Sequence, residues 1–522
     1  MAEEKNAENN HSERLRLVGQ IAERSQKLLH SLATESVAAG NQGQPADPLN
    51  LTPILFELTA RMVANPASVL EAQLSLWQNH IDLWQSTSKK LLGQNGNPVI
   101  APEKGDRRFR DRAWDDDAVF DIIKQSYLLT SRWLTHLVED MDDLDDKTRR
   151  KIEFYTRQFV DAMAPNNFVS TNPEVLRATL ESGGENLLRG FSNLLEDLDR
   201  GKGKLAIRMT DPDAFDVGKT LATTPGKVVF ENDLMQLIQY QPTTDKVYKR
   251  PLLIIPPWIN KFYILDLRPE NSFIKFAVDQ ELTVFVVSWV NPEQRHADKT
   301  FDDYMLEGPL AALDAIEQAT GEADANVIGY CLGGTLLAAT LAYMAVKKDK
   351  RVNAATFFTA LTDFEEPGEL GVFIDEEQLA SMDQMMAENG YLDGREMATT
   401  FNMLRANDLI WSFVINNYLL GKEPFPFDLL HWNSDSTRMP HAMHSFYLRK
   451  FYQENKLVEA GGISLDGVSI DLKKIRTPTY MLSTREDHIA PWASTYAATQ
   501  LFRSKTTFVL SGSGHIAGVV NP

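Results

Sequence analysis

The sequence predicts an α/β protein, with a mostly helical N-terminal part over 1–225 and a helix-covered parallel sheet over 226–522. Three observations carry this. Apolar runs rich in β-branched and aromatic residues recur after Gly226. Apart from the first pair, segments long enough for helices separate them. Before Gly226 the apolar residues recur at helical spacing instead, as in Leu51, Ile54, Leu55, Leu58 and Met62. Near-continuous apolar strands alternating with helices suit a sheet buried on both faces.

In chain order, residues 12–35 read as helix and GNQGQPADPLN (40–50) as a linker. Leu70, Leu74, Trp77, Ile81 and Trp84 then repeat at the four-three spacing of a helix-pairing seam. Such a stripe packs within its own domain or docks a partner, which makes 1–95 a candidate docking part. QNGNPVIAPEKGDRR (94–108) is a second linker, and helical patterns continue to about residue 200. KVVFEN and LMQLIQYQP read as paired strands. PLLIIPPWI (251–259), LTVFVVSWV (282–290), ANVIGYC (325–331) and NAATFFTAL (353–361) read as buried strands. The pattern stops at Thr362 and resumes at PTYMLST (478–484) and TTFVLSG (506–512). The aromatic- and acid-rich stretch between, about 362–440, reads as a cap inserted over the sheet's carboxyl edge, where doubly wound sheets place their sites.

Composition narrows the function classes. The chain of 522 residues has one cysteine, so no intramolecular disulfide forms and a reducing cytoplasm is expected. A net charge of −19 argues against a nucleic-acid surface, which needs clustered Lys and Arg. The start, MAEEKNAENNHSER, has no apolar core of a secretory signal. Val327–Val346 carries no formal charge and is long enough to span a bilayer, but Gly329, Gly333 and Gly334 interrupt it. A buried strand-turn-helix is the better reading. No metal is expected: the histidines lack ligand spacing and there is no second cysteine.

That single cysteine sits in Gly329-Tyr330-Cys331-Leu332-Gly333-Gly334, where a strand turns into a helix. The arrangement is a nucleophile elbow, G-x-S-x-G with Cys for Ser, and no G-x-S-x-G competes for the role. A helix N-terminus favours a thiolate, and its free N–H groups can hold an oxyanion. A buried structural thiol is the alternative. Two later residues favour chemistry. Asp487 follows the strand YMLS and His515 follows TFVL, so Cys, Asp and His fall in the chain order of an α/β-hydrolase triad. His488 and Glu486 are rival base and acid. The fold class is therefore read as an α/β-hydrolase fold with a cap insertion, preceded by a mostly helical domain.

From about residue 105 to the end, the chain resembles the polyhydroxyalkanoate synthases, most closely the single-subunit class that polymerises short-chain 3-hydroxyacyl units. FDIIKQSYLLTSRWL, FYTRQFVDAMAPNNF, TNPEVLRATLESGGENLLRG and PPWINKFYILDLRPENS carry the resemblance, with GYCLGG, REDHIAPW and SGHIAGVVNP. It implies that Cys331 is acylated by an (R)-3-hydroxyacyl-coenzyme A, 3-hydroxybutyryl preferred, with His515 as base and Asp487 as acid. Asp487 orients His515 or activates the incoming 3-hydroxyl. Backbone N–H groups of Leu332 and Ile259 are expected to hold the oxyanion, and Tyr330, His488 and Trp492 to border the substrate pocket. No cofactor is implied, since coenzyme A leaves as a product. The growing polyester, granule-associated proteins and a second copy of the chain are the expected partners, at the surface of cytoplasmic polyester granules. An esterase or depolymerase, a thioesterase and a non-catalytic granule protein are the rival readings. Two departures stand out. WNSDSTRMP has Arg438 where the family commonly has Asn. The relatives are also expected to continue several dozen residues past the equivalent of Pro522.

Overall fold

The structure, a computed structural model, describes residues 66–94, 96–139 and 144–521. The elements read at 12–35, 40–50 and 51–62 lie outside the described residues. The chain forms two compact units. One is built from the chain up to Asp211 together with Asn402–Phe425, the other from Pro212–Phe401 and Pro426–Pro522.

The first unit is helical, with α1 (Pro66–Leu91), α2 (Ala118–Glu139), α3 (Asp146–Ala162) and α4 (Glu185–Arg200) as its main elements. Asp145 starts α3 by accepting from the Lys147 and Thr148 N–H groups, which would otherwise lack partners. Leu83 of α1 packs with Ile100, Phe109, Trp114, Leu128 and Leu129. The Leu70–Trp84 stripe faces away from that core: Leu70, Leu74, Trp77 and Trp84 are each about 60–70% exposed. Asn402–Phe425 joins this unit through polar contacts. The Tyr418 hydroxyl donates to buried Asp197 at 2.6 Å, and Asn193 donates to the Asn417 carbonyl at 3.1 Å. A Cβ at Gly190 of α4 would lie 1.8 Å from the Tyr418 carbonyl oxygen, so only glycine permits this approach. Part of the stretch read as a cap over the sheet thus belongs to the helical unit.

The second unit holds an eight-stranded sheet. Its strands are β1 (Gly226–Glu231), β2 (Met235–Tyr240), β3 (Leu252–Ile255), β4 (Val284–Trp289), β5 (Ala325–Tyr330), β6 (Val352–Phe358), β7 (Thr479–Thr484) and β8 (Thr506–Ser511). Their order is β1-β2-β4-β3-β5-β6-β7-β8, antiparallel at β1-β2-β4 and parallel from β4 to β8. This is the α/β-hydrolase arrangement that the sequence predicts. Successive strand residues feed opposite cores, Leu253, Ile255, Phe285 and Val287 into one and Leu252, Ile254, Val284 and Val286 into the other. Helix α5 (Leu332–Lys347) follows β5 and is buried along most of its length, as its uncharged sequence requires. Helices α6 (Glu376–Asn389), α7 (His441–Tyr447) and α8 (Trp492–Leu501) complete the frame needed below. Among the described residues no helix is long and apolar enough to cross a membrane.

Candidate active site

The β5–α5 turn is packed so tightly that its glycines are obligatory. A Cβ at Gly329 would lie 2.5 Å from the Gly334 Cα, and one at Gly333 would lie 2.0 Å from the Ile255 carbonyl oxygen. At Gly334 it would meet the Ala360 Cβ at 2.4 Å. Cys331 sits between them with φ 51° and ψ −122°, a region that L-residues adopt only when the surroundings impose it. Those surroundings are explicit. Its N–H donates to the Phe358 carbonyl of β6, and its carbonyl accepts from the Gly334 and Thr335 N–H groups. The Thr335 hydroxyl in turn donates to the Leu361 carbonyl at 2.7 Å. The strain presents the half-buried thiol at the carboxyl edge of the sheet, at the start of a sixteen-residue helix.

Asp487 and His515 come to the same edge from the ends of β7 and β8. Parallel pairing from Thr479↔Thr506 to Thr484↔Ser511 keeps those ends level. The Arg485 and Glu486 N–H groups donate to the Ser511 and Ser513 carbonyls, and the Thr484 hydroxyl donates to the Gly514 carbonyl at 2.9 Å. The two loops are thereby tied together. His515 Nδ1 lies 2.7 Å from Asp487 Oδ2, while Asp487 Oδ1 accepts from the Ile489 and Ala490 N–H groups at 2.9 and 2.8 Å. With Nδ1 engaged by the carboxylate, Nε2 is the nitrogen left for Cys331, whose charge acts on the imidazole. Burial works against a charged imidazole here, but the Cys331 and Asp487 charges and their hydrogen bonds outweigh it and push His515 up to about 10.

The other expected site residues fall in different places. Leu332 opens α5 and Ile259 follows β3. Among the described residues neither backbone N–H is engaged in a turn or loop hydrogen bond. Tyr330 is fully buried beneath His515: its ring stacks on the imidazole at 5.6 Å, and its hydroxyl donates to the His515 carbonyl at 3.3 Å. Burial, then the nearby Cys331 and Asp487 charges, holds its phenol well above the ordinary tyrosine value. It is thus a prop under the base. Trp492 opens α8 and is 42% exposed, and the His488 carbonyl accepts from the Glu369 N–H at 3.0 Å. Asp487 rather than exposed Glu486 holds the imidazole.

Residues not singled out from the sequence close the site. Buried Tyr447 and half-buried Tyr452 pack edge to face with ring centroids 5.5 Å apart, and both lie within the field of Cys331. For both, burial comes first among the effects that hold the phenol above its ordinary value. Phe364 packs on both rings. Phe364 falls in the aromatic-rich insertion, whereas Tyr447 and Tyr452 lie past its expected end at about 440, and aromatic richness says nothing about which ring turns inward. The WNSDSTRMP stretch is pinned to the turn after β3. Trp432 donates to the Lys261 carbonyl at 2.9 Å, and Tyr263 donates to Asp435 at 2.9 Å. Just before it, buried Asp428 accepts from Arg268 at 2.7 Å and Asn271 at 3.0 Å. Arg438 lies 4.8 Å from the Tyr391 ring centroid and donates from Nη1 to the Pro292 carbonyl at 3.1 Å. Its own N–H donates to Asn291 Oδ1. Arginine at this position therefore fastens the segment to the loop after β4.

A thiol, a buried imidazole and a buried carboxylate in series are equipped for nucleophilic acyl transfer. Comparison with known proteins bears on the acyl group. Residues 105–277 match the family described as the N-terminus of poly-beta-hydroxybutyrate polymerase, and residues 251–522 match the α/β-hydrolase fold. A poly(3-hydroxyalkanoate) polymerase of Methylorubrum extorquens is 53% identical over 472 residues, covering 90% of this chain and 78% of that one. The corresponding polymerase subunit of Rhizobium meliloti is 50% identical over 478 residues, covering 91% and 78%. That of Cupriavidus necator is 44% identical over 462 residues, covering 88% and 77%.

Proposed function

Because the chain belongs to the poly(3-hydroxyalkanoate) polymerase family, we propose that it joins (R)-3-hydroxyacyl units from their coenzyme A thioesters into a polyester. It is an acyltransferase built on a hydrolase fold. The observation that supports the mechanism is the imidazole of His515 held between the Cys331 thiol and the buried Asp487 carboxylate. His515 Nε2 takes the thiol proton, and the thiolate attacks the thioester carbonyl. The tetrahedral oxyanion lies against the Leu332 and Ile259 N–H groups. Collapse breaks the carbon–sulfur bond to coenzyme A, and the imidazolium returns its proton to the departing thiolate. The 3-hydroxyl of one unit then attacks the thioester carbonyl of another, forming the ester and breaking that carbon–sulfur bond, and the hydroxyl proton passes through the base to the released thiolate. A free hydroxyl is a weak nucleophile and needs a base, which is His515 or Asp487.

Coenzyme A release and polymer mass, followed together from 3-hydroxybutyryl-coenzyme A, test this reading. Coenzyme A release without polymer would make the protein a thioesterase, and release of free monomer from added polyester would make it a depolymerase. The same assay with 3-hydroxyoctanoyl-coenzyme A tests chain length. A closed aromatic wall of Tyr447, Tyr452 and Phe364 beside the thiol favours the shorter unit. Each added methylene is expected to lower kcat/KM by about 10–200-fold. The reverse order of the two substrates would contradict the short-chain assignment.

The exposed Leu70–Trp84 stripe of α1 is read as the surface that docks on the polyester granule, a granule protein or a second copy. Deleting residues 1–95 is expected to weaken granule co-sedimentation or self-association and to spare single-turnover acylation of Cys331. Loss of acylation with granule binding retained would assign the segment to supporting the catalytic unit instead.

A further inference from the structure

Three tryptophans surround the loop that follows β3, and their indole N–H groups are treated differently. Trp289 donates to the Pro256 carbonyl at 2.8 Å and Trp432 to the Lys261 carbonyl at 2.9 Å. Trp258 is 1% exposed, and its indole N–H has no hydrogen-bond partner among the described residues. A buried donor without a partner destabilises a fold, and a phenylalanine would fill similar space without that cost. The ring is well fixed, since Tyr447, Tyr304 and Phe301 surround it with centroids 5.8, 5.6 and 6.0 Å away.

The location gives the donor a use. Trp258 immediately precedes Ile259, and β3 lies beside β5 with Ile255 paired to Gly329, two residues before Cys331. The helix that starts at Leu332 presses on this same loop, because a Cβ at Gly333 would strike the Ile255 carbonyl. Tyr447, against which Trp258 packs, lies within the field of the Cys331 thiol. An acyl group on Cys331, with its carbonyl oxygen toward Leu332 and Ile259, carries its 3-oxygen three bonds beyond the carbonyl carbon. We propose that the Trp258 indole N–H donates a hydrogen bond to that 3-oxygen, and that Trp258 is a specificity-determining residue for 3-hydroxyacyl thioesters. This rests on the reading of Cys331 as the acylated nucleophile. Indole is a donor only, so it binds a hydroxyl or an ester oxygen alike and leaves a hydroxyl's own proton free for a base. One group therefore serves both an incoming monomer and the first ester of a growing chain.

The test compares two thioesters that differ by one hydroxyl. Single-turnover acylation of Cys331 in the full chain is followed by intact-protein mass spectrometry, with 3-hydroxybutyryl-coenzyme A and with butyryl-coenzyme A. The wild type is expected to prefer the hydroxylated thioester by about tenfold, the worth of one buried hydrogen bond. Trp258→Phe is expected to bring the ratio close to one. Trp258→Gln, which restores an N–H donor, is expected to retain a preference. Both rates come from one preparation, so a loss of folded fraction cancels in the ratio. A Phe variant that keeps the wild-type ratio overturns the proposal. So does a wild type without preference, which is informative even if neither variant folds. If neither thioester acylates Cys331 in the wild type, the nucleophile assignment itself fails and this inference falls with it.

Discussion

His515, in the loop after β8, and His444, inside helix α7, are both buried, yet their charge states move in opposite directions. At His444 burial dominates and lowers it to about 4. At His515 the same penalty is overcome by Cys331 and Asp487, and it rises to about 10. His515 is hydrogen-bonded to its carboxylate at 2.7 Å, whereas Asp383 acts on His444 through its charge alone. The Asp383 charge near His444 is already claimed by Arg449, whose Nη2 lies 2.7 Å from its Oδ2. Asp487 has no salt-bridge partner other than His515 among the described residues, and it lies at 2.7 Å. The lesson is that a buried imidazole charges when the anions beside it, here Cys331 first and then hydrogen-bonded Asp487, outweigh the cost of burial.

The largest effect should come from removing the thiol. Cys331→Ala is expected to abolish polymer formation, and to lower the His515 titration point measured by NMR, since the strongest favourable charge beside it is gone. Mass spectrometry of the wild type during turnover should find acyl groups on Cys331. Substantial polymer synthesis by the Ala variant would end the nucleophile assignment.

Next in size is the division of labour between the two partners. His515→Ala is expected to slow the acylation burst and elongation alike, by about 10²–10⁴-fold, the usual worth of a general base. Asp487→Asn is expected to acylate Cys331 and then stall before a long chain forms, if its carboxylate serves the incoming hydroxyl. Rapid-quench measurement of the burst beside polymer length separates these. An equal loss of burst in both variants would assign Asp487 to orienting His515, and would tie the raised His515 value directly to catalysis.

How much of this was legible depended on how local each signal was. The central strands β3 to β5 announced themselves as apolar, β-branched runs between turn residues, because both of their faces are largely buried, whereas the edge strand β8 is only half-buried and was legible from its β-branched and aromatic residues alone. Cys331, Asp487 and His515 could be placed because Cys331 directly follows β5 and the other two lie in the short loops just past β7 and β8. The Leu70–Trp84 repeat was readable as a helix face, but the buried side of α1 is the one carrying Leu83 and Thr87. Periodicity gives a face and not its partner. The placement of Asn402–Phe425 with the helical unit rests on pairs such as Asp197 and Tyr418, more than two hundred residues apart, which no local pattern encodes. Tyr447, Tyr452 and Trp258 were hidden for the same reason: a ring in an aromatic-rich stretch does not declare which cavity it faces.

The smallest expected effect concerns His444 and stability. Its folded value, about 4, is depressed from the ordinary 6.5, so between those values the unfolded chain binds the extra proton. The stabilisation from keeping it neutral is therefore complete above pH 6.5 and is lost as pH falls toward 4. The slope approaches about 1.4 kcal/mol per pH unit at full protonation of the unfolded state. His515 has the opposite sign. Its folded value is raised, so its contribution is full below 6.5 and disappears as pH rises through about 10. Of these two histidines, His444 and not His515 should thus contribute acid lability between pH 6.5 and 4. His444 Nδ1 has no hydrogen-bond partner among the described residues, so His444→Met removes a buried polar atom without stranding another. The variant is expected to match or exceed the wild-type Tm at pH 7, and to lose several degrees less between pH 7 and 5. Thermal unfolding by circular dichroism at the two pH values measures both. An unchanged pH dependence would mean that His444 finds a proton partner in the folded chain, and the contrast between the two histidines would then be one of degree.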